Sequence, residues 1–311
     1  MSVLPGWLLR FWPVRFWLLL ALLGPGCAGV WAVELPAIAI GFYQPVIRDV
    51  PRKDVELSLR FWIEELGRPA NIAFKPVRMY ANLADMKRDL ADGHINFVVA
   101  TSMGVAQHFN IDDLADAFSG YKSMTDDLLL LVRGDAGIRS PADLVGKRMA
   151  LLEGDELTDV YLPTLMMKAG LRGDMSQFSQ VTRETSTNKQ VYKLFFDKAD
   201  AALVYRNTYE IALALNPQIG QRLQSLDAFT FKTRSPYIAL FSSAVSPEQR
   251  ALMLEACLKL GDTARGRQVL QIYHADVFER TRVLDLVPYQ DLLKTYRSLS
   301  AKTAVAKKSA R

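Results

Sequence analysis

The sequence predicts an α/β protein of two domains, built on mostly parallel sheets with helices on both faces. Three observations carry that expectation. From Leu35 onward, short apolar runs alternate with helical patterns of about ten to fifteen residues, which is how helices come to cover both faces of a parallel sheet. The alternation runs once before Tyr121 and again after Asp127. Finally, about 280 residues follow the leader described next, more than one hydrophobic core usually serves.

Residues 1–32 read as a targeting leader: Arg10 and Arg15 supply positive charge, residues 16–23 form an unbroken apolar core, and Gly24-Pro25-Gly26 breaks it. That core is far shorter than the ~20 residues that span a bilayer, so removal and export to the periplasm are expected. Cleavage is expected after Ala32, with Ala28 next. A lipoprotein anchored at Cys27 is the competing reading, but Gly24-Pro25-Gly26 is a poor lipobox because its first position lacks Leu. Without the leader only Cys257 remains, so no intramolecular disulfide can form.

In the first α/β run, residues 38–42 are the first strand and residues 50–66 an amphipathic helix, with Val55, Leu59, Trp62, Ile63 and Leu66 on one stripe ended by Gly67. Residues 71–77 follow as a strand, 82–91 as a helix closed by Gly93, and 95–100 as a strand leading into Thr101-Ser102 at a helix start. Residues 127–133 are a continuous apolar strand. Ser140, Pro141 and Asp143 then make an N-capped short turn ended by Gly146, Met149-Ala150-Leu151-Leu152 a strand, and Gly154-Asp155 opens a helix closed by Gly170. Strands at 178–181 and 199–204 alternate with helices at 187–196 and 205–215; residues 229–242 read as extended, and 247–261, 264–273 and 288–299 as helices.

The formal charge of +5 includes the two arginines of the leader and Lys302, Lys307, Lys308 and Arg311 of the tail, so the body between them carries −1. A nucleic-acid surface needs clustered basic charge, and none is expected here. Catalysis and metal binding have little support: His94, His108 and His274 are scattered, and no nucleophile elbow, Walker pattern or paired Cys/His spacing occurs. A non-enzyme without cofactor is expected.

The segment Ser-Pro-Ala-Asp-Leu-Val-Gly-Lys-Arg-Met-Ala-Leu at 140–151 resembles a motif of type II periplasmic solute-binding proteins. The longer run 121–170 resembles the phosphate, phosphite and phosphonate receptors of ABC transporters. The resemblance implies a two-lobed Venus flytrap: residues 33–121 and 229–300 form one lobe, 122–228 an inserted second lobe, and 301–311 a disordered basic tail. It also implies a monomer whose partners are a small-molecule ligand and an inner-membrane ABC permease; a membrane sensor is the alternative partner.

Ligands of open α/β sheets bind beyond the carboxyl ends of strands, where helix N-termini offer free N–H groups. In the first lobe those positions hold Tyr43, Gln44, Tyr80, Thr101, Ser102 and Tyr121. In the second they hold Asp155, Glu156, Thr158, Ser186, Thr187, Tyr205 and Arg206. Here the chain departs from the phosphonate receptors it resembles. Their Ser-Thr-Ser-Gly-like cluster is replaced by Gly154-Asp155-Glu156-Leu157-Thr158, their Gly-Ser-His by Thr185-Ser186-Thr187, and their later aspartate by Tyr205-Arg206-Asn207. Two carboxylates in place of hydroxyls disfavour an oxyanion and suit a solute with a cationic or hydroxyl group, although acidic residues in a first helical turn also suit the macrodipole unaided. Arg183 and Arg206 could meet an acidic group or simply pair with surface carboxylates.

Overall fold

The computed structural model describes residues 35–47, 51–121, 127–272 and 275–309. The leader, its cleavage sites and Cys27 lie outside the described residues. Among those described, no helix is long and apolar enough to cross a membrane.

Strand β1 (Ile40–Tyr43) is buried throughout, and helix α1 (Arg52–Ala70) buries Val55, Leu59, Trp62 and Leu66 from one face. The helix does not end at Gly67. It runs to Ala70 and closes where Asn71, in the left-handed conformation at φ 51°, sends its N–H back to the Gly67 carbonyl. The second strand moves accordingly, because Pro76 has no N–H for a ladder. Residues 71–77 contribute only the Ile38–Phe74 bridge, and β2 (Arg78–Tyr80) pairs in parallel with β1, Tyr80 opposite Tyr43. Helix α2 (Leu83–Ala91) starts where the Asn82 side chain accepts the Asp85 N–H, and β3 (Phe97–Thr101) leads into α3 (Ser102–His108). Two strands missing from the sequence reading follow, β4 (Leu114–Ala115) and β5 (Ala117–Tyr121).

The second run comprises β6 (Leu128–Arg133), β7 (Arg148–Leu152), α4 (Glu156–Lys168), β8 (Gln180–Glu184), α5 (Thr187–Phe195), β9 (Ala201–Tyr205), α6 (Arg206–Leu215), α7 (Gln218–Arg222) and β10 (Leu223–Ser225). The chain then returns through β11 (Tyr237–Ser242), α8 (Pro247–Leu258), α9 (Ala264–Ile272), β12 (Val277–Thr281) and α10 (Val287–Ser309).

Two five-stranded sheets result, ordered β2-β1-β3-β11-β4 and β10-β6-β9-β7-β8, with β12-β5 as a two-stranded ribbon. Both large sheets are mixed. The strands beside the crossings, β11 and β6, run antiparallel to their neighbours because the chain enters each sheet there from the other one. The first sheet is covered on one face by α1, α8 and α9, where Trp62, Phe97, Phe118 and Phe241 share one core, and on the other by α2 and α3.

Helix α10 departs from the first lobe expected for residues 229–300. Tyr289, Leu292 and Leu293 are buried in one cluster with Leu128 and Leu130 of β6 and Leu157, Leu162 and Leu165 of α4, and α10 also packs on α3. The reason lies in α4, which buries Leu157, Val160, Leu162, Leu165 and Met166 around most of its circumference and therefore needs cover on its outer side. The tail is corrected as well: residues 301–309 continue the helix, in keeping with their Ala and Lys content.

At the edge of β7, the Arg148 backbone N–H and guanidinium donate to Asp200 at 2.8, 3.1 and 2.7 Å. Those bonds hold the Asp200 carboxyl below the usual carboxylate range. A depressed folded-state value stabilises above the unfolded pKa of about 3.9 and is lost as the pH falls through the folded value. Asp200→Asn is therefore expected to cost ~2 kcal/mol at pH 7, a deficit that shrinks below about pH 4. Urea titrations of both proteins at pH 7 and pH 3 check this, and an equal deficit at both would contradict it.

Candidate functional site

The carboxyl ends of β1, β3, β7 and β9 meet around the start of α4. Gly154, at φ 60° in the left-handed region open to glycine, turns the chain sharply out of β7. Asp155 is the N-cap of α4, and its carboxylate accepts the Thr158 N–H at 3.0 Å and the Thr158 hydroxyl. The Tyr205 hydroxyl, from the end of β9, donates to its other oxygen at 2.9 Å. Asp155 is 4% exposed, and donors of its own lobe hold it. The capping role open to both acidic residues is the one Asp155 fills.

Glu156 behaves differently. Its Oε1 accepts the Tyr43 hydroxyl from the opposite sheet at 2.9 Å, while its Oε2 is buried with no partner. Among the described residues no lysine or arginine pairs with it. Thr101 stands beside this carboxylate at the end of β3. Although it occupies the N-cap position of α3, its side chain makes no cap bond, and its hydroxyl is buried without a partner. The two groups flank Gly104. A Cβ built there would lie 2.5 Å from Thr101 Oγ1, 2.4 Å from Leu83 Cδ1 and 3.6 Å from Glu156 Oε1.

Beside this cluster a cleft of about 440 Å³ opens between the sheets, lined by Gln44, Arg52 and Ala81 on one side and Glu153 and Thr185 on the other. Thus Tyr43, Thr101, Asp155, Glu156, Thr158 and Tyr205 converge, and Gln44 borders the adjoining cleft. The remaining candidates point elsewhere. The Tyr80 hydroxyl donates to Asp89 at 2.6 Å within its own lobe, and burial together with that carboxylate pushes its pKa up. Ser102 donates to the Ser235 carbonyl at 3.0 Å, and Thr187 shares a hydrogen bond with Thr208 at 2.9 Å. Ser186 is the N-cap of α5 without a side-chain cap bond. Arg206 pairs with Asp127 at 3.4 Å, and Arg183 with Asp159 at 2.6 Å. The Tyr121 side chain lies outside the described residues. Sequence reading missed Gly104, Arg52 and Glu153; only a glycine in the first turn of a helix hinted at the first.

Electrostatics at the α4 terminus work against an anion. An oxyanion about 4 Å from Glu156 would meet ~4 kcal/mol of repulsion at an effective dielectric near 20, which the partial positive charge of the helix end only partly offsets. Among the described residues, no group of three or more His, Cys, Asp or Glu side chains could hold a metal ion.

The family model for the phosphonate periplasmic substrate-binding protein of ABC transporters matches residues 61–285. The chain belongs to this family. Solved structures share the fold of this phosphonate-binding-protein homologue. A binding protein component of an ABC phosphonate transporter from Pseudomonas aeruginosa is 12% identical, with TM-score 0.59, covering 86% of this chain and 88% of that one. PhnD1 from Prochlorococcus marinus, solved with methylphosphonate, is 12% identical with TM-score 0.60, covering 85% of this chain and 98% of that one. A Xanthomonas citri protein bound to chloride is 15% identical with TM-score 0.60, covering 86% and 99%. No curated protein sequence matches the chain. The homologue is thus a two-lobed α/β substrate-binding protein of the ABC-transporter type, in a family that binds small ligands and works with membrane permeases.

Proposed function

We propose that this family member is exported by residues 1–32, works as a periplasmic monomer without turning its ligand over, and closes its lobes on a small polar solute for delivery to an inner-membrane permease. The observation carrying this reading is the Tyr43–Glu156 hydrogen bond, which joins the strand ends of one sheet to the helix start of the other beside an open cleft. Residues 229–236, which lead from the second sheet back to β11, act as a hinge, and the Asp127 carboxylate binds Arg206, Lys232 and the Thr233 N–H there. A ligand touching both lobes stabilises the closed form by its differential affinity. The cluster at Asp155 and Glu156 makes the solute something other than a simple phosphonate, despite the methylphosphonate bound by the Prochlorococcus relative.

One preparation tests this. Expressed with its leader, the protein should be recovered from the periplasm as a monomer beginning at Val33 or Gly29. In a screen of millimolar amines, amino acids, sugars and oxyanions, at least one solute should raise its melting temperature by several degrees. A ligand at 100 times its dissociation constant adds ~2.7 kcal/mol. Retention of Met1 would refute export, and a melting temperature indifferent to every class would refute solute capture.

A further inference from the structure

Resting on the solute-capture reading, we propose that the head of this site takes a protonated amino group, so that the ligand is a small solute with an ammonium end and not one led by an oxyanion. Three features of the cluster carry this. Glu156 presents a carboxylate oxygen that is buried and receives no hydrogen bond, although its other oxygen is bound by Tyr43. Thr101, 8% exposed, presents a hydroxyl that is likewise buried and unpartnered. The two residues come together at Gly104, where a Cβ would lie 2.5 Å from Thr101 Oγ1 and 3.6 Å from Glu156 Oε1.

Buried polar atoms without partners are costly, and two in one place on facing lobes define what would relieve them. An ammonium has three donors and no acceptor. It can give one N–H to Glu156 Oε2 and one to Thr101 Oγ1. A fully deprotonated oxyanion brings acceptors only, and a monoprotonated phosphate or phosphonate brings a single O–H beside its negative charge. Either form sets a second negative charge beside Glu156, with no lysine or arginine among the described residues paired to Glu156 to offset it. Asp155 does not alter the balance, since its carboxylate is engaged by Thr158 and Tyr205. Because Thr101 ends a strand of one lobe while Glu156 opens a helix of the other, an amine bridging them also rewards closure.

The test is calorimetric titration of the leader-free protein with ethanolamine and methylammonium, beside methylphosphonate and inorganic phosphate, with scattering to follow closure. The amines should bind and compact the protein, and the oxyanions should bind at least about tenfold more weakly. Glu156→Gln keeps an acceptor for Tyr43 but removes the charge, and should weaken the amines about tenfold or more; Thr101→Val should weaken them severalfold without lowering the melting temperature of the ligand-free protein. If methylphosphonate binds and compacts the protein while the amines do neither, or if Glu156→Gln leaves amine affinity unchanged, the amine assignment is overturned and solute capture stands. If neither these probes nor any class in the wider screen binds, both fall together.

Discussion

Replacing Leu292 and Leu293 together by alanine is expected to remove about 6 kcal/mol of folding stability, much of what a domain possesses. Both side chains are less than a tenth exposed, at 7% and 5%, and they enter the cluster formed by β6 and α4. Each truncation forfeits apolar burial and leaves a cavity, and α4, apolar on most of its surface, cannot collapse into both at once. The consequence is not confined to one lobe. Since α10 also packs on α3 of the first lobe, loosening it should split thermal unfolding into two transitions, with the α4 lobe melting first. Calorimetry and urea titration measure both effects. A loss under ~2 kcal/mol would mean that α10 is not the cover α4 depends on.

Phe118→Ala is expected to cost ~4 kcal/mol and to act on the other core. The ring is 2% exposed and lies among four others: Phe97 at 5.3 Å, Phe278 at 5.7 Å, Trp62 at 5.9 Å and Phe241 at 6.4 Å between centroids. Those neighbours come from β3, β12, α1 and β11, so the cavity would open where the ribbon β5-β12 sits against the first sheet. Edge-to-face and offset pairs add about 0.5–1.5 kcal/mol each beyond the area they bury, and Phe118 makes several. Urea titration gives the loss, and hydrogen exchange should locate the faster-opening amides in β5 and β12, not in β6 or β7. A variant whose stability falls by less than ~1.5 kcal/mol would show that the remaining rings close the gap.

The sequence displayed β1, β3, β6, β7 and β9 because each is a short apolar run bounded by turn residues, and α4 because Asp155 and Gly170 mark its ends. It hid β4, β5 and β12. These strands are short or carry polar residues, as in Val-Phe-Glu-Arg-Thr at 277–281, and they exist because they pair with each other or with β11. Pairing partners far apart in the chain leave no local signature. The same reason explains the site. Its strand-end positions were legible, yet Tyr43 and Thr101 joined Glu156 while Tyr80, Ser102 and Arg206 turned to Asp89, Ser235 and Asp127. A side chain's position at a strand end is local, but the direction it takes depends on which neighbour can satisfy its hydrogen bonds.

What the sequence determined by itself was the alternation of strand and helix, the replacement of a hydroxyl cluster by Asp155 and Glu156, and a body without net basic charge. Tertiary structure alone decided that α10 would lie across α4, that Asp155 would cap while Glu156 reached the opposite lobe, and that Thr101 Oγ1 and Glu156 Oε2 would be buried together without partners. Local propensity and capping act between residues a few positions apart. Burial and hydrogen-bond satisfaction are settled only once segments more than a hundred residues apart are brought face to face, as with Tyr43 and Glu156.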